Sequence, residues 1–363
     1  MKVFIFSKSS WNVYNFRKNL IKNLLNKKYK VYILCNIDEY KSKLLLLGCN
    51  VININFNNRS YNVTNDLYVF FKIIFLYIKI KPNIFLNFNI KPVLIGSFVC
   101  KLFNVKSINT ITGLGTIFLK GRFLKFIFLK IYKLCFFKKS IVFFHNFLDR
   151  KLFIKSKIVN KNQTVVTPGS GVNISHYYYT EYKKKSFFNI LFVGRLLWDK
   201  GIKEFIDSAK ILSKKKFINF KIIGEFADKD TDGVTQNTYK MLLKDANITY
   251  IKKKKDIRPH LKWADCVVLP SYREGCPKSL LEASAMGKAI LGSKVPGISH
   301  IIKNNYNGYL FKVKNSYSLS KSILKYCALN SKKKKQMSKN SRKLSNKFDE
   351  KKVINLYLKK INS

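Results

Sequence analysis

Two stretches of the chain carry residue types and spacings suited to a phosphorylated ligand. The first is Ser271-Tyr-Arg-Glu-Gly-Cys-Pro-Lys-Ser-Leu-Leu-Glu282. It follows the apolar run CVVLP (266–270) and opens a helix with Pro277 in the first turn, where a missing N–H costs nothing. The backbone N–H groups around Lys278, Ser279 and Leu280 then form a seat for an anion, strengthened by the helix dipole. Glu282 comes one turn after Lys278 on the same helix face, and Glu274 stands in the loop ahead. Two carboxylates flanking such a seat suit a nucleotide-linked sugar, one taking sugar hydroxyls and the other ribose hydroxyls. Alone, the same acids also fit a solvated loop and a helix surface. The second stretch is Gly194-Arg-Leu-Leu-Trp-Asp-Lys-Gly201, again between a strand and a helix. Arg195 and Lys200 straddle a tight loop, placed to neutralise a diphosphate and to stabilise it as it departs. Each stretch supplies what the other lacks.

Both stretches need a scaffold that brings loops to one edge. Short β-rich runs near 2–7, 30–35, 51–55, 84–88, 107–112, 141–145 and 164–167 alternate with helical patterns near 14–27, 38–47, 63–80, 92–103, 118–138 and 146–155. That alternation predicts a parallel sheet covered on both faces. The turn-rich stretch 167–186 reads as a linker. The pattern restarts with strands at 187–193, 220–224, 248–251, 266–270 and 289–293, a helix carrying Ile202, Phe205, Ile206, Ala209 and Leu212, a short helix between the strands at 248–251 and 266–270, and a helix at 277–287. Residues 348–361 have the spacing of one more helix. The expectation is an α/β chain of two doubly wound, Rossmann-like domains, 1–170 and 187–345, facing a cleft at the carboxyl ends of their strands, followed by a terminal helix within 346–363.

Composition narrows the class of partner. The 363 residues carry 70 Lys+Arg against 19 Asp+Glu, a net charge of +51, yet only eight of the basic residues are arginine. Recognition of nucleic acid leans on the arginine fork, so this lysine excess argues against a dedicated nucleic-acid binder. The abundance of Lys, Asn, Ile, Phe and Tyr is that of an A/T-rich coding sequence. Seven scattered cysteines without a CxxC pair read as reduced thiols, and four isolated histidines give no metal-ligand spacing. Lysines interrupt every apolar run before the ~18 residues of a membrane span, and MKVFIF reads as a first strand. Segments 66–82 and 117–139 mix aromatics, aliphatics and lysines, and read either as core helices with a basic outer face or as contacts with an anionic leaflet.

On these residues the chain resembles the retaining glycosyltransferases of family 4, with the GT-B fold. The E-x7-E motif matches as Glu274…Glu282, and the GRL-x3-KG motif as Gly194, Arg195, Leu196, Lys200 and Gly201. Further similar segments include SSWNVYNFRKNL (9–20), TITGLGTIF (110–118), VTPGSGVN (166–173), DIRPHLKWADCVVLPSYREG (256–275), VPG (295–297) and NGYLF (307–311). They are most similar to enzymes extending undecaprenyl-diphosphate-linked sugars, among them bacillosamine-linked GalNAc transferases and O-antigen or capsule enzymes. The resemblance implies a UDP-sugar donor in the C-terminal domain, a polyprenyl-diphosphate-linked glycan acceptor on the N-terminal domain, and a last helix returning to that domain. It implies no cofactor and no metal, front-face attack without a protein nucleophile, and a cytoplasmic enzyme held peripherally at the inner membrane face. Glu274, Arg195 and Lys200 would be catalytic. Glu282, Gly194, Gly224, Glu225, Gly275, Cys276, Lys278, Ser279 and Leu280 would bind the donor, and Asn15, Arg17, Thr112, Gly113 and His145 would lie on the acceptor side.

The chain also departs from the pattern. Thr112 stands where many relatives carry histidine, the first loop (SKSSWNVYN) lacks a double glycine, residues 251–256 are a lysine run, and Ser299 and His300 replace the acid common after VPG. The acidic triplets in DKDTD (228–232) read as loop surface, His145 as a wall contact and Asp149–Arg150 as a helix start. Two rivals remain: a sugar-nucleotide epimerase-like enzyme of the same fold, and a non-catalytic basic binder of nucleic acid or lipid.

Overall fold

The computed structural model describes residues 1–56, 63–114, 121–226, 233–244 and 246–363. The chain forms two units, Met1–Ser170 with Lys352–Ser363, and Gly171–Lys351. The first unit runs β1 (Lys2–Ser9), α1 (Ser10–Asn26), β2 (Lys30–Asn36), α2 (Lys41–Leu45), β3 (Asn50–Asn53), α3 (Val63–Ile80), β4 (Ile84–Phe88), α4 (Ile90–Leu102), β5 (Lys106–Ile111), α5 (Arg122–Cys135), β6 (Ser140–Phe144), α6 (Phe147–Lys155) and β7 (Thr164–Val166). Its strands pair in parallel in the order β3-β2-β1-β4-β5-β6-β7. Val3 of β1 is in register with Val31 on one side and Ile84 on the other. Central strands such as IFLNF (84–88) are buried throughout, as a sheet covered on both faces requires.

The second unit runs β8 (Phe188–Val193), α7 (Ile202–Ile211), β9 (Ile218–Gly224), α8 (Gln236–Leu243), β10 (Ile248–Lys252), α9 (Arg258–Trp263), β11 (Cys266–Leu269), α10 (Lys278–Ala285), β12 (Ala289–Ser293), α11 (Pro296–Ser299), β13 (Gly308–Phe311), α12 (Ser316–Cys327) and α13 (Ser331–Ser345). These strands are also parallel, in the order β10-β9-β8-β11-β12-β13. Five elements, α8, α11, β13, α12 and α13, have no counterpart in the sequence reading. In α13 the inward stripe is Lys334, Met337, Ser338, Ser341 and Ser345, which carries no apolar period. Ser341 instead donates to the Lys288 carbonyl at 2.7 Å. The stretch read as a linker is fastened to the second unit: Thr180 donates to the Met286 carbonyl at 2.8 Å, and Arg342 donates to the Tyr177 carbonyl at 2.9 Å.

The last helix, α14 (Glu350–Asn362), returns the chain to the first unit. Val353, Tyr357 and Ile361, one turn apart on one face, join the core formed by α1 and the sheet. The Tyr357 ring stacks on Phe143 with centroids 4.4 Å apart, and its hydroxyl lies 2.6 Å from Thr110 Oγ1. Arg17 of α1 lays its guanidinium 4.1 Å from the Phe88 ring, with Tyr357 alongside at 5.9 Å. The opposite sheet face is covered by α3 to α6. Tyr357→Ala removes a fully buried aromatic side chain, so it should cost about 3–5 kcal/mol in urea unfolding of the first unit. A loss under about 1 kcal/mol would show that α14 is not part of that core.

Candidate active site

In the second sheet the strand order reverses at β8, which has β9 on one side and β11 on the other. Loops leaving β8 and β11 therefore diverge and open a crevice at the carboxyl edge. The sequence puts its two motif loops there. Gly194 ends β8 and donates to the Ile223 carbonyl at 3.1 Å. Leu196 then bonds the Glu225 carbonyl at 3.0 Å, so the loop runs beside the end of β9. A Cβ on Gly224 would collide with the Gly194 carbonyl oxygen and Leu196, so this crossing accepts glycine alone. Gly201 closes the turn at φ 71°, and a Cβ there would strike the Pro270 carbonyl. The first motif loop is thus seated on the end of β11.

The second motif loop meets it there. Lys200 Nζ lies 2.7 Å from Glu274 Oε1, with both side chains largely withdrawn from solvent. Ser271 Oγ donates to the same carboxylate oxygen at 2.8 Å, and the Ser293 hydroxyl holds the Ser271 carbonyl. The Tyr272 N–H donates to the Asp199 carbonyl at 2.8 Å, and the Tyr272 hydroxyl to Glu204 at 2.8 Å. Behind Glu274, a Cβ on Gly297 would meet the Glu274 and Gly275 carbonyls, so α11 sits directly against this loop. Residues 74 positions apart in the chain are joined by backbone and side-chain bonds around one carboxylate.

Pro277 precedes α10 and no side chain caps the helix. The first-turn amides at Lys278, Ser279 and Leu280 therefore keep the character of an anion seat. Lys278 approaches Glu282 across one turn, Nζ to Oε1 3.8 Å, as the helical spacing predicts. Glu282 is buried with the Tyr177 side chain close by; burial raises its pKa, while Lys278 and Tyr177 act against that rise. Burial together with Glu282 pushes the Tyr177 hydroxyl up in turn. Burial and the neighbouring Glu274 raise the Cys276 thiol as well. Glu225 is half-exposed and paired with Lys253 at 2.9 Å, while Arg258 holds the Asp256 carboxyl down at about 2. Sequence reasoning gave Tyr177, Ser271 and Tyr272 no role. Ser271, three positions before Glu274, could have been flagged by spacing; Tyr177, in the stretch read as a linker, carries no local signal.

The first unit reverses at β1, between β2 and β4, and its crevice is built differently. Ser9 caps α1 by accepting from the Asn12 N–H at 3.3 Å, and Asp38 accepts from the Trp11 N–H at 2.8 Å. Ser7 bonds Asn12 at 2.9 Å and Asn89 at 3.0 Å. Side chains thus occupy the helix start where the family's double glycine is lacking. His145, buried, donates its backbone N–H to the Ile111 carbonyl at 3.3 Å, which places it beside Thr112 and Gly113. Asn15 bonds the Trp11 carbonyl at 2.9 Å, and Arg17 is the buried residue against Phe88. The acidic triplets at 228–232 lie outside the described residues. No group of three or more His, Cys, Asp or Glu that could hold a metal occurs among the described residues.

Two parallel-sheet units, each with its loops gathered at a switch point, define a GT-B protein. A family model described as glycosyl transferases group 1 matches residues 180–344, and one described as glycosyl transferase 4-like matches residues 2–146. The chain belongs to these family 4 glycosyltransferases and is a glycosyltransferase. It is 29% identical, over 99% of its length and 98% of the relative's, to the N,N'-diacetylbacillosaminyl-diphospho-undecaprenol alpha-1,3-N-acetylgalactosaminyltransferase of Campylobacter jejuni. The capsular polysaccharide glycosyltransferase CapM of Staphylococcus aureus is 26% identical over 74% of this chain and 73% of its own. In fold it is similar to Anabaena HepE, solved with UDP and glucose (TM-score 0.79, 15% identity, 100% of this chain and 99% of that one). It is likewise similar to WaaG, a lipopolysaccharide glycosyltransferase (TM-score 0.75, 13% identity, 98% and 99%).

The raised pKa of Glu282 has a definite sign. A carboxyl whose folded pKa exceeds the unfolded value, ordinarily about 4.3, stabilises the fold fully below that value and loses the contribution as pH rises through the folded pKa. The stability of the wild type relative to Glu282→Gln should therefore fall as the pH rises above the unfolded value in thermal melts. A difference that grows with pH would mean that Lys278 and Tyr177 outweigh burial.

Proposed function

We propose that the protein is a retaining enzyme moving a hexose or N-acetylhexosamine from a UDP-sugar to the sugar of a polyprenyl-diphosphate-linked acceptor, in the synthesis of a surface glycan. The observation that carries the reading is the 2.7 Å contact between Lys200 and Glu274 beside the uncapped start of α10. The end-to-end likeness to a transferase that extends an undecaprenyl-diphosphate-linked sugar supports it, as does a shorter likeness to an Escherichia coli galactosyltransferase acting on GlcNAc-diphosphoundecaprenol.

In this reading the first-turn amides at Lys278, Ser279 and Leu280 hold the donor β-phosphate, with Gly275 and Cys276 leading the chain into that turn. Glu282, oriented by Tyr177, takes the ribose hydroxyls, and Glu274, fixed by Ser271 and Lys200, takes the sugar. Gly194, Gly224 and Glu225 border the nucleotide. When the bond from the anomeric carbon to the β-phosphate oxygen breaks, its electron pair leaves on the diphosphate. Arg195 and Lys200 supply the opposing charge, which is worth most where water is excluded. The acceptor hydroxyl oxygen forms the new bond on the same face and its proton passes to the departing phosphate. Retention follows without a protein nucleophile. Asn15, Thr112, Gly113 and His145 serve the acceptor, while Arg17 acts from the core.

Peripheral membrane attachment belongs to the same proposal, on the cytoplasmic face where nucleotide-sugars are made. No helix among the described residues is long and apolar enough to cross a membrane. In the first unit α3 and α5 both contact α4, and their outward residues Leu67, Phe71, Phe75, Phe123 and Phe126 are exposed. Lysines such as Lys72, Lys130 and Lys133 stand among them. An apolar surface studded with cations suits an anionic leaflet, the rings entering and the ammonium groups reaching headgroups.

Arg195→Ala or Glu274→Ala should lower sugar transfer by about 10²–10³-fold while the protein stays folded; near-normal turnover would refute the roles. UDP release should require the lipid-linked acceptor, whereas release without it would favour the epimerase-like reading. Phe123→Asp/Phe126→Asp should abolish flotation with phosphatidylglycerol vesicles while leaving transfer to a short-chain soluble acceptor intact. Undiminished flotation would remove α5 from the membrane contact.

A further inference from the structure

The geometry points to a second anion site in the second unit, fitting a phosphorylated small molecule between a sugar phosphate and a nucleotide in size. It is a cavity of about 420 Å³ whose walls include Lys185, Lys262, Lys288 and Lys334 with Tyr178 and Tyr182. Its residues precede β8, join α9 to β11 and join α10 to β12, so they gather at the amino ends of these strands. The motif loops follow the carboxyl ends of the same strands. The cavity therefore lies at the opposite edge of the sheet and is independent of the reading proposed above.

Its charge is unbalanced. Five lysines line it against two carboxylates, Glu181 and Asp265. Asp265 is committed to Lys185 at 3.1 Å and to the Asn189 N–H at 2.9 Å, and Glu181 to Lys335 at 2.6 Å. Lys288 and Lys334 are only 8% and 5% exposed. Their ammonium groups donate to the carbonyls of Lys262 at 3.2 Å and Cys327 at 2.7 Å, neutral acceptors that orient a charge without cancelling it. Burying cations together is unfavourable unless an anion joins them. Burial, with Lys185 next, holds the Lys288 pKa down at about 8, as expected of an ammonium awaiting a counter-charge. A phosphate dianion would supply that charge, and the tyrosines would flank the group it carries.

Titration calorimetry on the full chain tests this, with Arg195→Ala/Lys200→Ala as background so that the motif loops contribute little. Inorganic pyrophosphate should bind that variant at one saturable site. Adding Lys262→Gln/Lys288→Met should weaken binding at least about tenfold, and the exposed Lys262→Gln alone by a smaller factor. Lys214→Gln/Lys215→Gln, which removes equal charge from the surface elsewhere, should leave it unchanged. No saturable binding, or equal weakening by the surface pair, would overturn the site. Glucose 1-phosphate or uridine monophosphate should bind the background variant more tightly than pyrophosphate, with the same loss in Lys262→Gln/Lys288→Met. Weaker binding of both would overturn the organic-phosphate assignment.

Discussion

The Lys200 ammonium and the Glu274 carboxylate, 2.7 Å apart, stand on loops that leave adjacent strands on the two sides of a topological reversal. Loops at such a point diverge, so something must draw them back toward one ligand. Here it is this pair, reinforced by Ser271 on the carboxylate and by the Tyr272–Asp199 backbone bond. The glycines serve the same end. Gly201 lets the first loop rest on Pro270, Gly224 lets it pass the end of β9, and Gly297 lets α11 support the second loop. Deleting one partner of a buried pair costs up to about 3–5 kcal/mol, and these side chains retain some solvent contact, so the loss would be smaller. In the proposed reaction the pair's greater effect is to hold a cation where negative charge would develop.

The two units share one topology and use it differently. In the second, α10 begins without a side-chain cap. In the first, Ser9, Asn12, Asp38 and Asn89 occupy the corresponding switch point. A helix start that already has its side-chain acceptors has less to offer a phosphate. The outer surface of the first unit, with rings exposed on α3 and α5, suits a ligand that arrives in a lipid. The proposed division between a nucleotide-binding and a lipid-facing unit thus has a physical counterpart in what each leaves unsatisfied.

Much of this was legible in the sequence because the informative signals are local. Buried parallel strands are continuous apolar runs, and β1, β4, β8 and β11 could be read directly. Proline before an amide-rich turn and acids eight positions apart located α10 and its neighbours. Helix α13 was missed because burial there is not apolar: it turns serines and the Lys334 stem inward, and its fit depends on Ser284 and Lys288, far away in sequence. Tyr177 was missed for the same reason, since only folding brings it to Glu282. The aromatic lysine-rich helices left two readings open, and α5 places Tyr132 and Cys135 in the core while exposing Phe123 and Phe126.

A crystal structure of the chain with UDP tests the central claim most directly. The account predicts the β-phosphate on the first-turn amides of α10, within hydrogen-bond reach of Arg195 and Lys200, with Glu282 on the ribose. A diphosphate bound elsewhere, with Lys200 still closed on Glu274 and Arg195 turned away, would contradict it.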